Sequence, residues 1–192
     1  MAKATAKSNT QPKATGAGAR RTKVVVREAG PADQPALRAL RRLAERTHAR
    51  LMPDYFREAP SDAGAVWDPE QGPWSAVLVA APATAAGVRV GVRAVIDHDV
   101  AVLGFVAIRV VVTPRDPAMV PRRRAHVEVI VVDEGHRGAG IGTALMRAAT
   151  AWAREREATE MVLTVWADNV AADALYRSLG YHPIARVLRR KL

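Results

Sequence analysis

Arg137, Gly138, Gly140 and Gly142 are the residues of this chain whose types and spacing most directly imply chemistry. They follow an apolar run, Val127 to Val132, that breaks at Asp133, and they precede an alanine-rich amphipathic segment, Ala144 to Arg156. The pattern reads as strand, turn, helix. Glycines in a basic turn let backbone N–H groups point at a ligand, and the helix that follows adds the positive end of its dipole. Such a turn is suited to phosphate.

Two common phosphate loops do not fit. A P-loop needs Gly-Lys-Ser/Thr, which is absent, and a dinucleotide fold wants G-x-G-x-x-G near the start of its domain, whereas Gly138-x-Gly140-x-Gly142 lies late in the chain. The run Arg137-Gly138-Ala139-Gly140-Ile141-Gly142 instead resembles the acyl-CoA-binding signature Arg/Gln-x-x-Gly-x-Gly/Ala of the GNAT superfamily of N-acetyltransferases. A second block, Asn169-x-x-Ala172-x-x-Leu175-Tyr176-x-x-x-Gly180-Tyr181, follows at the separation that family leads one to expect. The resemblance covers roughly residues 23 to 188, strongly from 125 to 181.

The resemblance implies acetyl-CoA as co-substrate and an N-acetyltransferase acting by direct attack in a ternary complex. By position, the main chain of Arg137, Gly138, Ala139, Gly140, Ile141, Gly142 and Thr143 would hold the pyrophosphate, and that of Ile130, Val131 and Val132 would pair with pantetheine. Asn169 matches the family asparagine near pantetheine, with helix capping as its plain alternative. Tyr176 matches the tyrosine near the thioester sulfur. The alternative function is a GNAT-like module that binds acyl-CoA as a sensor, without turnover.

The acceptor amine sets the energetic problem, because an ammonium with pKa near 10.4 costs about 4.6 kcal/mol to deprotonate at pH 7. Glu128, the one carboxylate inside an otherwise apolar strand, is the candidate base, and related enzymes carry a glutamate at the same distance before the loop. Burial there is expected to raise its pKa. The plain alternative is an ion pair with arginine. Tyr176 is the candidate acid for the leaving thiolate, since a phenol is protonated at neutral pH. In a regular strand His126 shares a face with Glu128, and His136 adjoins the loop. The histidines at 48, 98, 126, 136 and 182 lack ligand spacing, and there is no cysteine, so no metal site is expected. A Ser-His-Asp mechanism lacks its G-x-S-x-G elbow.

These residues need a scaffold. Lys23 to Glu28 reads as a strand, and after Gly30-Pro31 the leucines at 37, 40 and 43 follow helical spacing. Prolines at 53, 60, 69 and 73 break the chain from Leu51 to Trp74. Within it Asp54 and Tyr55 sit where the family's acceptor loop lies. Ser75 to Ala80 is a short strand or a helix end. Val88 to Ile96 and Val100 to Val112 read as a hairpin turning at Asp97-His98-Asp99. Thr113 to Arg124 reads as a proline-rich loop ending in three arginines. Met161 to Trp166 is a strand made parallel to Val127 to Val132 by the helical crossover. Asp168 or Asn169 caps a helix from Val170 to Leu179 that Gly180 ends, and Tyr181 to Leu188 reads as a last strand. The expected class is α+β, a mixed sheet with helices on both faces; the resemblance adds a splay between the fourth and fifth strands.

The 192 residues suit one domain. Of the net charge of +10, residues 1 to 23 hold six cations and no acid, leaving +4 for the rest. Residues 1 to 22 are expected to be a disordered basic tail, and 23 to 192 the acetyltransferase domain. Nucleic acid would bind through the tail alone, if at all. No run approaches the roughly 18 apolar residues of a membrane span, and the first residues lack a secretory core, so a cytoplasmic protein without membrane contact is expected. The partner is a small-molecule or peptide amine of open identity, and a second subunit could complete the last sheet edge as a homodimer.

Overall fold

The computed structural model describes residues 23–58, 73–83, 101–113, 118 and 120–190. The basic tail and the proposed strand Val88 to Ile96 with its turn at 97–99 lie outside them. The elements are β1 (Val24–Glu28), α1 (Gln34–Leu51, entered through a 3-10 turn, Pro31–Asp33), β2 (Ser75–Pro82), β3 (Gly104–Val112), β4 (Arg123–Val132), α2 (Ile141–Glu155), β5 (Glu160–Leu163) and α3 (Val170–Ser178). The segment from Ser75 is thus a strand.

Among the described residues one five-stranded sheet runs in the order β1-β2-β3-β4-β5. All neighbours are antiparallel except β4 and β5, which are parallel as a helical crossover requires. Period-two alternation supplies both faces. On one, Leu37 and Leu40 of α1 pack on Val77, Val79, Phe105, Ala107 and Val131. On the other, Ile141, Leu145, Met146, Ala149 and Ala153 of α2 cover Leu78, Ala80, Val106, Ile108, Ala125 and Val127, with Tyr176 of α3 in the same cluster. Each fully buried leucine contributes about 2 kcal/mol. Helices therefore lie on both faces, and the α+β class holds.

β4 carries the feature that matters most. Ala107 faces Val129 while Ile108 faces Val127, so Glu128 is an extra residue, a β-bulge. Ala125 and Val127 look toward α2, but beyond the bulge Val129 and Val131 look toward α1, and Ile130 and Val132 take over the α2 side. β5 accompanies β4 only from Arg124–Glu160 to Val127–Leu163. From Glu128 onward β4 has lost its parallel neighbour, and the sheet splays there.

Three expectations are corrected. β4 begins at Arg123 rather than Val127, because Arg123 and Arg124 pair with Val112 and Val111 and their charges are met by Glu157 and Glu160. β5 ends at Leu163, so Trp166 lies outside the sheet. Residues 181–190 form no strand: no neighbouring strand pairs with them, Pro183 offers no N–H, and Val187 and Leu188 stand 99% and 90% exposed.

At the sheet's other edge, Arg27 grips buried Asp33 through two hydrogen bonds, Nη1 to Oδ2 at 2.7 Å and Nη2 to Oδ1 at 2.8 Å. The Gly30 N–H also donates to Asp33 Oδ2, at 2.8 Å, which fixes the approach to α1. The hydrogen bond to Asp33 pushes the Arg27 pKa up.

Candidate functional site

The end of β4 passes through a 3-10 turn, Glu134–His136, into the glycine loop. Asp133 Oδ2 accepts from the Gly135 N–H at 3.1 Å and lies 2.7 Å from His136 Nδ1, which fastens that histidine to the turn. Gly138 and Gly140 have φ of +77° and +87°, conformations that strain any side chain, and a Cβ at either would meet nothing within 4 Å. Gly140 is the N-cap of α2 and no side chain caps the helix, so its first N–H groups lack an intrahelical acceptor. Backbone donors, open space and a helix dipole thus coincide at one turn, a combination that fits a phosphate.

The Arg137 side chain folds back on the strand: Nε donates to the Val132 carbonyl at 3.3 Å, and Nη1 lies 3.5 Å from Glu134 Oε1. Gly142 allows α3 to approach, since a Cβ there would sit 3.1 Å from Leu175 Cδ2. Tyr176, the next residue of α3, is buried in the same cluster as Ile141 at the start of α2. Ile130, Val131 and Val132 lie on the stretch of β4 that β5 has left.

Tyr176 is 7% exposed, and burial first, then the neighbouring Tyr181, pushes its pKa up to about 12. The two rings are 5.8 Å apart. Asn169 Oδ1 accepts from the Ala172 N–H at 3.2 Å, so Asn169, not Asp168, caps α3.

Glu128 is not buried as expected. The bulge leaves it exposed, and its Oε1 lies 2.7 Å from Arg109 Nε on β3. Register places His126 opposite Arg109, so His126, Arg109 and Glu128 do share the α1 face. The buried Nδ1 of His126 has no hydrogen-bond partner among the described residues. Glu128 and Tyr176 therefore approach from opposite faces of the sheet.

Asp54 and Tyr55 meet residues the sequence did not single out. The Tyr55 and Phe56 rings lie 5.2 and 5.1 Å from Trp166, and Phe56 stacks on His48 at 5.1 Å. Arg189 Nη2 donates to Asp54 Oδ2 at 3.0 Å, and the Arg189 guanidinium lies 4.6 Å over the Tyr55 ring. Arg109 had a legible signal, being the lone charge of an apolar strand. Trp166 and Arg189 had none, because tertiary contact alone brings them here. Among the described residues no group of three or more His, Asp or Glu could hold a metal ion, and no helix is long and apolar enough to cross a membrane.

Known proteins share this fold. The family model described as the acetyltransferase (GNAT) family matches residues 47–181. The uncharacterized N-acetyltransferase YobR of Bacillus subtilis is 46% identical over 56 residues, 29% of this chain and 23% of that protein. Across the curated relatives the matched segments span 23% to 43% of the relatives' own lengths. A mutant of the BH1408 protein from Bacillus halodurans superposes with a TM-score of 0.71 at 24% identity, covering 88% of this chain and 99% of that one. AAC(6')-Iy in complex with the bisubstrate analog CoA-S-monomethyl-acetylneamine gives 0.59 at 18% identity, covering 89% and 99%. The matched family model takes in more than two thirds of the sequence, including the glycine turn and α3, and the chain belongs to the GNAT acetyltransferase family.

Proposed function

We propose that the chain is an N-acetyltransferase that moves the acetyl group of acetyl-CoA to an amine by direct attack in a ternary complex. The observation that carries this reading is the parting of β4 from β5 after Val127, beside a turn with open backbone donors at Gly138 and Gly140. The pyrophosphate binds the main chain from Arg137 to Thr143, and pantetheine runs along Ile130 to Val132 toward Asn169. That the related AAC(6')-Iy binds an analog joining CoA to acetylneamine supports both the donor and an attack without a covalent enzyme intermediate.

In the reaction the amine nitrogen attacks the thioester carbonyl and the C–S bond breaks. The proton released by the amine passes to the Glu128 carboxylate, directly or through water, and Arg109 holds that carboxylate in place. Tyr176, protonated well above neutral pH, gives its proton to the CoA thiolate. The acceptor enters beside Asp54 and Tyr55. Residues 23 to 192 form the catalytic domain.

The test is a thiol-release assay with acetyl-CoA across a panel of small-molecule and peptide amines, beside calorimetric titration with CoA. Micromolar CoA binding with amine-dependent thiol release is expected. CoA binding with no release on any amine would replace the enzyme by an acyl-CoA sensor, and absence of CoA binding would overturn both.

A further inference from the structure

The patch around Tyr55 has a composition that the reaction above does not explain. It places a carboxylate, Asp54, beside the exposed face of a tyrosine that packs on Trp166. Such a pair attracts guanidinium or ammonium and offers little to a neutral or anionic group. The chain supplies an example: Arg189 lies across the ring and hydrogen-bonds the carboxylate. It arrives on residues 181–190, which have no regular structure, and its side chain is 37% exposed. A half-exposed pair of this kind is cheap to displace.

The position of the patch is equally informative. Arg50, one residue before the end of α1, lies 3.9 Å from Glu134 in the turn after β4. Trp166 follows the end of β5 by three residues. The patch therefore bridges the carboxyl ends of β4 and β5, at the mouth of the splay.

We infer that Asp54, Tyr55 and Trp166 form a recognition site for a second cationic group of the acceptor, a guanidinium or ammonium distinct from the reacting amine, and that Arg189 occupies it until such an acceptor displaces it. The group is a second one because the attacking nitrogen gives up its proton at Glu128, whereas a cation held over Tyr55 and paired with Asp54 stays charged. The inference rests on the N-acetyltransferase reading for its reaction but not for its binding.

The test uses agmatine, an amine carrying a guanidinium, against pentylamine, which lacks the second charge, titrated calorimetrically into the CoA-loaded full chain. Agmatine is expected to bind about tenfold more tightly. Asp54→Asn and Tyr55→Ala are each expected to remove most of that preference, and Arg189→Ala to tighten agmatine about threefold by removing the internal competitor. Thermal melts of all three variants check that they are folded. Equal binding of the two amines, or an agmatine affinity untouched by both Asp54→Asn and Tyr55→Ala, overturns the site. Weaker agmatine binding in a folded Arg189→Ala variant overturns the competitor role. Should the preference appear without thiol release from acetyl-CoA, the cation site stands and the acetyltransferase reading falls. Should both amines be acetylated equally well by the wild type and Asp54→Asn, the reverse holds.

Discussion

Arg109 Nε and Glu128 Oε1 are 2.7 Å apart across β3 and β4, at the one position where the two strands fall out of step. The carboxylate proposed to take the amine's proton is therefore fixed by a cation and set on a distortion of the strand, not sunk in an apolar wall. Glu128→Gln is expected to lower kcat/KM about hundredfold at neutral pH and to remove the acidic limb of the pH profile. Arg109→Gln should keep more activity than Glu128→Gln, because it leaves the carboxylate in place and removes only the side chain that orients it. Steady-state kinetics between pH 5 and 9 check both. An unchanged profile in Glu128→Gln removes it as the base.

Tyr176 yields a prediction for turnover and one for stability. Tyr176→Phe is expected to slow kcat about tenfold or more with CoA affinity nearly intact; equal loss of both would indicate packing alone. Its pKa in the folded chain, about 12, lies above the ordinary 10 of an unfolded tyrosine. Ionisation then favours the unfolded chain first. The stabilisation is complete below pH 10 and is lost as pH rises toward 12, by roughly 2.7 kcal/mol for the gap between the two values. Urea unfolding at pH 9 and pH 11 should show about half of that loss in the wild type and a shallower one in Tyr176→Phe.

Gly140→Ala tests the turn. With φ at +87° the methyl group brings backbone strain but no steric contact. About 1 kcal/mol of stability should go, and the displaced donors should weaken CoA binding about tenfold. Calorimetry and a thermal melt measure the two effects separately.

Asp33→Ala tests the Arg27–Asp33 clasp. Asp33 also accepts from Gly30, so its loss strands a partly buried guanidinium and an N–H group together. A cost of about 3 kcal/mol is expected, read as a lower urea midpoint with an unchanged slope.

Much of this was legible in the sequence because local pattern and tertiary role agree. The leucines at 37 and 40 have helical spacing and they pack on the sheet; the glycine turn reads as an anion loop and its donors lie open. What escaped depends on partners far along the chain. Arg123 and Arg124 look like loop residues until Glu157 and Glu160 neutralise them within a strand. Tyr181 to Leu188 carries strand-favouring residues, Tyr181, Ile184 and Val187, but finds no neighbour to pair with among the described residues. The bulge at Glu128 leaves no mark in a run of valines, since either parity reads as buried. That hidden irregularity is also why Glu128 is exposed.

The irregularity at Glu128 has a consequence for altering this protein. A single residue out of step hands the α2 side of the strand from odd-numbered Ala125 and Val127 to even-numbered Ile130 and Val132. Removing the codon for Glu128 would take out the extra residue and let Val127 to Val132 alternate regularly, with Val131 still toward α1 and Val132 still toward α2. The same edit would straighten the ribbon whose bend accompanies its divergence from β5. The proposed proton acceptor and the bend of the ribbon thus share one dependence on chain length, and variants at this site should exchange the side chain while preserving the count.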